Sequence, residues 1–303
     1  MAQRASPQWF DAMYNPRAQV ADSAERIAAW ARQSAPVREA QEARLDLPYG
    51  SGEAEALDVF VAASASASTS ASGGAGRAAL APVLVFLHGG FWRALGKSDH
   101  AFIAPSFTRS GVCVVIPDYS LCPGSAGRPV TVASITLQMV RALAWVWRNI
   151  WRHGGDSARI TVAGHSAGGQ LAAMMLACDW PAVAPDLPLA LVRSALSISG
   201  LHELEPIRRT PYLQPSLRLS AQDVRRASPA RLRAPPHAVL HCVCGGNESA
   251  EFLRQTRLIR QRWGRSVVPV CQTLPGLNHF SILDAFATPD SPLHRHTLAL
   301  LQA

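Results

Sequence analysis

The feature that most constrains the fold is a serine that stands between a β-branched segment and an alanine-rich segment. Residues 159–175 read RITVAGHSAGGQLAAMM, in which residues 164–168 form a G-x-S-x-G motif. Small residues on both sides of a serine permit a sharp strand-to-helix turn with strained backbone angles. Such a turn exposes the hydroxyl at the end of a strand. The sequence therefore predicts Ser166 as a nucleophile carried by an α/β sheet.

Strand-like and helical patterns alternate along the rest of the chain. This alternation is typical of a mostly parallel sheet with helices on both faces, whose active site forms at the carboxyl ends of the strands. The predicted strands are 45–47, 57–61, 82–87, 112–116, 159–163, 191–199, 237–243 and 267–273. The predicted helices are 21–42, interrupted near Pro36, followed by 130–148, 170–177 and 250–263.

Two segments break the alternation within what we expect to be one domain of 303 residues. Residues 63–79 are rich in Ser, Gly and Ala and lack apolar periodicity. They predict a flexible surface loop between neighbouring strands. Residues 201–236, rich in Arg and Pro, are predicted to form a small cap-like insertion over the active edge of the sheet.

Charge and cysteine usage limit the classes of partner. The formal charge is +8, but the basic residues are scattered and Lys97 is the only lysine, so we predict no nucleic-acid partner. The six cysteines lie mostly in apolar runs without metal-type spacing, which predicts buried, reduced thiols and no metal. No run resembles a signal core or a membrane span, so we expect a cytoplasmic protein without membrane attachment.

A second strand runs directly into a pair of glycines, in VLVFLHGGFW at residues 83–92. Adjacent glycines at a strand end leave backbone N–H groups unshielded, as donors to an oxyanion must be. A plain tight turn is the alternative. The presence of the serine motif favours an oxyanion hole made by the N–H groups of Gly89, Gly90 and Ala167. His88 is then a structural hydrogen-bonding residue rather than a base.

A serine nucleophile needs a base within hydrogen-bond reach and a third group that orients the base. Among the histidines that follow the serine, His279 lies in a loop just past the last predicted strand. From there its ring can reach over the edge of the sheet. We therefore predict His279 as the base.

The acid is expected at the end of the strand that precedes the strand of the base. CGGNESAEF, at residues 244–252, stands at that place and offers two glutamates. Glu248 directly follows the strand-ending glycines, whereas Glu251 lies about one helical turn deeper. We predict Glu248 as the acid and Glu251 as a helix-start residue that faces away, with Asp223 and Asp284 as remoter alternatives.

With these pieces in place, the chain resembles the arylformamidase (kynurenine formamidase) branch of the α/β-hydrolases, near the hormone-sensitive-lipase-like esterases. The resemblance extends over nearly the whole chain except the Ser/Ala loop. The segments that carry it are YNPR, LDLPYGSGEAEALDVF, HGGFWRALGKSDHAF, DYSLCP, GHSAGGQLAA, SGLHELEPI, NESAEFLRQT and NHF. It implies the α/β-hydrolase fold with about eight strands, and catalytic roles for Ser166, the first acidic residue of NESAEF and His279.

Two positions depart from the pattern of that branch. Its usual acid is Asp where this chain has Glu248, and its usual Pro is Ala250. Glutamate serves as the acid elsewhere in the superfamily, so the triad is kept, but with a reach longer by one methylene. The departure weakens the prediction of the substrate more than the prediction of the family.

The expected activity is hydrolysis of a small acyl ester or aryl amide through a Ser-His-Glu triad and an acyl-enzyme. The resemblance implies N-formylkynurenine as substrate, with a short-chain carboxylesterase or a non-catalytic binding protein as alternatives. No cofactor is called for, and a homodimer stays open. The residues expected to line the pocket, because each follows a strand end, are Trp92, Tyr119, Leu201 and His202.

Overall fold

A computed structural model describes residues 6–40, 43–63 and 79–302 and contains one twisted eight-stranded sheet within them. Its order is β1-β2-β4-β3-β7-β8-β9-β10, and a separate short hairpin is made by β5 and β6. Strand β2 pairs antiparallel with β1 and β4, and the other sheet pairs are parallel. The strands are β1 (Ala43–Pro48), β2 (Ala56–Phe60), β3 (Ala81–Leu87), β4 (Cys113–Pro117), β5 (Gly124–Ser125), β6 (Arg128–Pro129), β7 (Gly155–His165), β8 (Ser194–Ile198), β9 (Val239–Gly245) and β10 (Cys271–Leu274).

Helices connect the strands, and short 3₁₀ turns occur at 97–99, 101–103, 150–153 and 229–231. The α-helices are α1 (Pro7–Met13), α2 (Pro16–Gln19), α3 (Ser23–Arg38), α4 (Ala104–Thr108), α5 (Val132–Asn149), α6 (Ala167–Leu176), α7 (Trp180–Val183), α8 (Glu205–Arg208), α9 (Gln214–Leu217), α10 (Ala221–Ala227), α11 (Ala250–Val267), α12 (Ser281–Ala287) and α13 (Pro292–Gln302). No described helix is both long and apolar enough to cross a membrane.

The two faces of the sheet are covered by different helices, as the sequence predicts. Alternate residues of a strand point to opposite faces, so a fully buried run must find apolar partners on both sides. In β3, Val83 and Val85 join the apolar core formed with α5, α6 and α11. Leu84 and Phe86 join the core formed with α3, α4, α12 and α13. The α/β fold is thereby confirmed.

The structure corrects two element boundaries. Helix α3 continues through Pro36 to Arg38 instead of breaking there, and so lacks one backbone hydrogen bond in its last turn. The last strand begins at Cys271 rather than at residue 267, because α11 extends to Val267 across a local break at Gly264. Val267 and Val268 are buried at the end of that helix and not in the sheet.

The two predicted insertions are placed as follows. Residues 64–78, the body of the predicted Ser/Ala loop, lie outside the described residues. Between β8 and β9 the chain folds into α8, α9, α10 and the 3₁₀ turn Pro229–Arg231. One residue of this region, Tyr212, reaches the cavity described below. The cap-like role of residues 201–236 therefore stays a prediction.

Five neighbouring parallel strands end at one edge of the sheet. The order β3-β7-β8-β9-β10 places the residues that follow each strand next to one another. Strand β7 leads into Ser166, β8 into Ser199, β9 into the Glu248 turn and β10 into the His279 loop, while β3 leads into the glycine pair. Residues that are far apart in sequence therefore meet at this edge.

Candidate active site

Ser166 occupies a strained turn between β7 and α6. Its backbone has φ 57° and ψ −116°, a left-handed conformation that a non-glycine residue adopts only when its surroundings enforce it. The Ser166 N–H donates to the carbonyl of Ile198 at 2.8 Å, which ties the turn to the neighbouring strand β8. The serine is nearly buried and lines a cavity of about 120 Å³. The sequence motif thus has the strand-turn-helix context that it requires.

The glycines on either side of Ser166 are required by close packing. A Cβ on Gly164 would lie 2.1 Å from the carbonyl oxygen of Gly168. A Cβ on Gly168 would lie 1.9 Å from the carbonyl oxygen of Leu87, in the adjacent strand β3. Any side chain at either position would push the elbow away from the sheet. The motif is therefore a steric condition for the turn.

The glycine pair after β3 lies directly beside Ser166. A Cβ built on Gly89 would be 3.3 Å from Cβ of Ser166. Among the hydrogen bonds of the described ranges, none uses the backbone N–H of Gly89 or Gly90 as donor. Ala167 is the first residue of α6, so its N–H has no partner within the helix. These N–H groups therefore remain available to a negatively charged oxygen near Ser166.

The turn that follows the glycines is strained and held from several sides. Gly90, Phe91 and Trp92 all have positive φ, at 103°, 50° and 56°. The Tyr119 hydroxyl donates to the carbonyls of His88 and Gly89 at 3.0 and 3.2 Å. Hydrogen bonds of this kind hold a strained backbone in place.

Both ring nitrogens of His88 are engaged, as expected for a structural residue. Nδ1 lies 2.8 Å from the Gly89 carbonyl, and Nε2 lies 3.2 Å from Oδ1 of Asp118. The His88 ring also stacks on the ring of Tyr119, with centroids 4.1 Å apart. His88 is fully buried beneath the glycine turn and does not line the cavity.

Glu248 and His279 form a buried pair. Nδ1 of His279 lies 2.6 Å from Oε2 of Glu248. The other carboxylate oxygen accepts hydrogen bonds from the Ser199 hydroxyl at 2.5 Å and from the Gly245 N–H at 2.7 Å. The carboxylate is therefore fixed by three donors. This leaves Nε2 of His279 as the ring nitrogen that can serve Ser166.

His279 and Ser166 line the same cavity. No hydrogen bond joins the Ser166 hydroxyl to the His279 ring among the residues that the structure describes. In enzymes without substrate, the bond between nucleophile and base is often long and tightens only in the complex.

His165, which stands inside the motif, also contacts the base. Its Nε2 lies 2.8 Å from the backbone carbonyl of His279, and the two rings lie 4.7 Å apart. Burial, and the nearby His279 ring, lower the pKa of His165 well below its ordinary value. The ring is therefore neutral near pH 7, and the carbonyl contact identifies Nε2 as the protonated nitrogen. The sequence did not mark this residue as part of the site.

Glu251 lies in the first turn of α11 and faces Tyr14 and Arg254 rather than His279. It is nearly buried and accepts a hydrogen bond from the Tyr14 hydroxyl at 2.5 Å. Arg254 Nε and Nη2 also donate to its two oxygens, at 2.6 and 2.8 Å. Glu251 therefore anchors the N-terminal segment to α11, since Tyr14 is 237 positions away in sequence.

The two remoter acidic candidates have structural partners away from His279. Asp223 forms a capping box with Ser220 at the start of α10. Asp284 accepts from Nε1 of Trp30 and Nη1 of Arg26, both at 2.7 Å, and so joins α12 to α3. Neither carboxylate lines the cavity.

The four residues expected in the pocket wall lie elsewhere. Trp92 is fully buried and donates through Nε1 to Oε1 of Gln170 at 3.2 Å. Tyr119 supports the glycine turn from below, and Leu201 is part of the apolar core. His202 is fully buried, and its ring lies within 3.0 Å of the Ser197 hydroxyl. Each follows a strand end, but its side chain points into the protein rather than over the edge.

The cavity wall comes mainly from segments that the strand pattern could not identify. The lining residues are Asn15, Pro16, Arg17, Ile27, Trp30, Gly90, Phe91, Arg93, Ala94, Leu95, His165, Ser166, Tyr212, His279 and Phe280. Asn15, Pro16 and Arg17 belong to YNPR, one of the segments that carry the resemblance. Within the described residues, no group of three or more His, Cys, Asp or Glu side chains is arranged to hold a metal ion.

Comparisons with known sequences identify proteins that this chain is similar to. A family model described as the alpha/beta hydrolase fold matches residues 84–224. Kynurenine formamidase of Salmo salar is 27% identical over 269 residues, which are 85% of this chain and 81% of the relative. Esterase LipC of Mycobacterium tuberculosis is 30% identical over 248 residues, which are 73% of this chain and 57% of the relative.

Solved structures give the same result for the fold. A Silicibacter protein provisionally named a thioesterase has a TM-score of 0.79 at 28% identity, over 97% of this chain and 99% of that one. Esterase B from Lactobacillus rhamnosis has a TM-score of 0.66 at 15% identity, over 96% of this chain and 95% of that one, and shows the fold alone. The chain therefore has the α/β-hydrolase fold and is similar in sequence to kynurenine formamidases and esterases.

Proposed function

We propose that the chain is a serine hydrolase that uses Ser166, His279 and Glu248 as a catalytic triad. The observation that carries the proposal is the Glu248–His279 pair, 2.6 Å apart, in a buried site whose cavity also contains the Ser166 elbow. A serine at a strained strand-to-helix turn beside an oriented histidine is the arrangement that activates a hydroxyl for acyl transfer.

The reaction proceeds through a covalent acyl-enzyme. Ser166 Oγ attacks the acyl carbonyl while Nε2 of His279 accepts the hydroxyl proton, and Glu248 stabilises the imidazolium through Nδ1–H. The N–H groups of Ala167 and of Gly89 or Gly90 stabilise the oxyanion. His279 then protonates the leaving group. Water, deprotonated by the same histidine, attacks the acyl-enzyme and releases the acid, which regenerates Ser166.

For the substrate, we infer an arylformamidase-like activity that converts N-formylkynurenine to kynurenine and formate. Relatives named kynurenine formamidase at 25–27% identity, each matched over more than two thirds of its length, support this inference. The leaving nitrogen of an aryl amide shares its lone pair with the ring, so this amide is easier to cleave than a peptide. A short-chain carboxylesterase is the second candidate, supported by the likeness to Esterase LipC.

Paired assays test the function and the substrate separately. The kcat/KM values for N-formylkynurenine and p-nitrophenyl acetate are measured on the full chain, on Ser166→Ala and on Ser125→Ala, a change of an exposed serine in β5. Ser166→Ala should lower kcat by about 10⁴-fold to 10⁶-fold, and Ser125→Ala should behave as wild type. Activity retained in Ser166→Ala would refute the nucleophile.

The substrate preference decides between the two candidates. Ester cleavage that depends on Ser166, without cleavage of N-formylkynurenine, would refute the arylformamidase assignment and leave the esterase. If a folded protein turned over neither substrate, the non-catalytic alternative would gain support.

A further inference from the structure

Two arginines border the cavity that contains Ser166 and His279. Arg17 comes from the short helix α2, and Arg93 comes from the strained turn after the glycine pair. Both line this cavity together with Tyr212, and the Arg93 guanidinium lies over the Tyr212 ring. The two cations thus border one cavity, although they are 76 positions apart in sequence.

The position of Arg93 is fixed. Its Nη1 donates to the carbonyl of Tyr212 at 3.2 Å and to the hydroxyl of Ser216 at 3.1 Å. Its Cζ lies 5.2 Å from the centre of the Tyr212 ring, a cation–π distance. These contacts are all to neutral groups. The guanidinium is therefore held in place with its charge uncompensated.

Neither arginine has a carboxylate partner in an ion pair among the described residues. Other arginines on the surface do, as when Arg148 pairs with Asp186 at 2.8 Å. The Asp11 carboxylate contacts the backbone of Tyr212 instead, where its Oδ1 accepts the N–H of Tyr212 at 3.0 Å. Of the cavity-lining residues within the described ranges, none is Asp or Glu. The cavity is therefore bordered by two positive charges and by no acidic side chain among those lining residues.

We propose that Arg17 and Arg93 bind an anionic group, a carboxylate, on the substrate, so that the site selects carboxylate-bearing aryl esters or amides. The proposal deepens the hydrolase function proposed above and rests on it. Guanidinium groups form strong charge-assisted hydrogen bonds with carboxylates. The neighbouring rings of Trp30, Phe91, Tyr212 and Phe280 line the same cavity and suit an aromatic body between the anion and the scissile bond.

The test compares cleavage of the acetyl ester in 4-acetoxybenzoate, which is an anion, and in its methyl ester, which is neutral. The ratio of their kcat/KM values, anionic over neutral, is measured for wild type, Arg17→Gln, Arg93→Gln and Arg93→Lys. Each Gln variant should lower the ratio by about 10-fold or more, mainly through KM, whereas Arg93→Lys should keep part of it because the charge remains. Added 0.5 M NaCl should lower the wild-type ratio.

Arg152→Gln is the matched control. It removes one positive charge from an exposed residue at the opposite, amino-terminal end of β7, and its ratio should equal that of wild type. A wild-type ratio near 1, or equal losses for both esters in the Arg17 and Arg93 variants, would overturn the proposal. A loss in Arg152→Gln as large as in Arg17→Gln would also overturn it, since net charge alone would then account for the effect.

A binding measurement separates this proposal from the proposed function. Binding of benzoate and of neutral benzamide is followed by calorimetry on wild type and on Arg17→Gln. Benzoate should bind more tightly than benzamide in wild type, and the preference should fall in Arg17→Gln. If this holds while neither ester is hydrolysed, only the hydrolase function fails. If Ser166-dependent hydrolysis is observed but the wild-type protein binds benzoate no more tightly than benzamide, only the proposal of an anion-binding site is refuted.

Discussion

At the scale of single residues, two glutamates three positions apart have different roles because their partners differ. Glu248 contacts the ring of His279 and is held by Ser199 and the Gly245 N–H. Glu251 is tied to Tyr14 and Arg254. One helical turn therefore separates the acid of the proposed triad from an anchor for the N-terminal segment.

Exchanging each carboxylate for an amide should show this division. Glu248→Gln should lower kcat by about 10⁴-fold, because an amide does not stabilise the imidazolium and can favour the wrong tautomer. Glu251→Gln should lower kcat by less than 10-fold. It should instead reduce the free energy of unfolding by about 1 to 2 kcal/mol, since the half-exposed Arg254 loses its partner.

Steady-state kinetics and urea unfolding of both variants check this prediction. Equal or reversed losses in kcat would show that Glu248 is not the acid. Both proteins should keep a wild-type circular dichroism spectrum, which separates a lost carboxylate from a lost fold.

At the scale of elements, the N-terminal segment is part of the cavity and not an appendage. Residues 15–17 line the cavity, and the segment before them is held by three hydrogen bonds. Ser249 donates to the carbonyl of Met13 at 2.6 Å, Gln255 donates to the Tyr14 hydroxyl at 2.9 Å, and the Tyr212 hydroxyl donates to the Tyr14 carbonyl. Ser249 directly follows the proposed acid, so the wall and the triad share one support.

Removing the Tyr14 hydroxyl should loosen this support. Tyr14→Phe leaves the buried Glu251 without one of its donors, which should reduce the free energy of unfolding by about 1 to 3 kcal/mol. The KM for substrate should also rise, because the wall at residues 15–17 is less well positioned. Urea unfolding and hydrogen exchange of the N-terminal amides measure the two effects.

Tyr49→Phe is the matched control for this change. The Tyr49 hydroxyl donates to a neutral backbone carbonyl, that of Asp118, at 2.6 Å. Its loss should leave hydrogen exchange at the N-terminus as in wild type. Faster exchange there in Tyr49→Phe, or unchanged exchange in Tyr14→Phe, would contradict the proposed support.

At the scale of the whole molecule, several histidines are buried in the neutral form. Burial lowers the pKa of His100 to about 3 and that of His202 to about 4, and burial together with His296 lowers the pKa of His241 to about 4. In the unfolded chain these rings take up a proton near pH 6.5. Between pH 6.5 and about 4 the unfolded state therefore binds more protons than the folded state, and stability falls as the pH falls.

Unfolding by urea at pH 7.5 and pH 5.0 should show this dependence. Each fully buried histidine should contribute a loss on the order of 1 to 2 kcal/mol over this interval. His202→Gln should reduce the difference between the two pH values, because it removes one titrating group. The exposed His237→Asn keeps a residue that tolerates the positive φ of 66° and should leave the difference unchanged. Equal stability at both pH values would contradict the prediction.

Much of this architecture could be predicted from the sequence because its signals are local. The β-branched and apolar runs specify the strands of a mostly parallel sheet. Gly164 and Gly168 mark the elbow because no side chain fits there. The positions of Glu248 and His279 after consecutive strands follow from the rule that parallel strands end at the same edge. The α/β fold is confirmed, and the catalytic roles remain proposals with a geometry that suits them.

Only the tertiary structure decided the walls of the cavity and the partner of Glu251. The position of Tyr119 after a strand end did not reveal that its side chain lies under the glycine turn. Successive side chains along an extended segment point to opposite sides, so a shift of one residue reverses the direction. Arg17 and Arg93 line one cavity, and Tyr14 contacts Glu251, because distant parts of the chain pack together. Local sequence determines which residues form strands and turns, whereas contacts of this kind depend on how the completed elements pack.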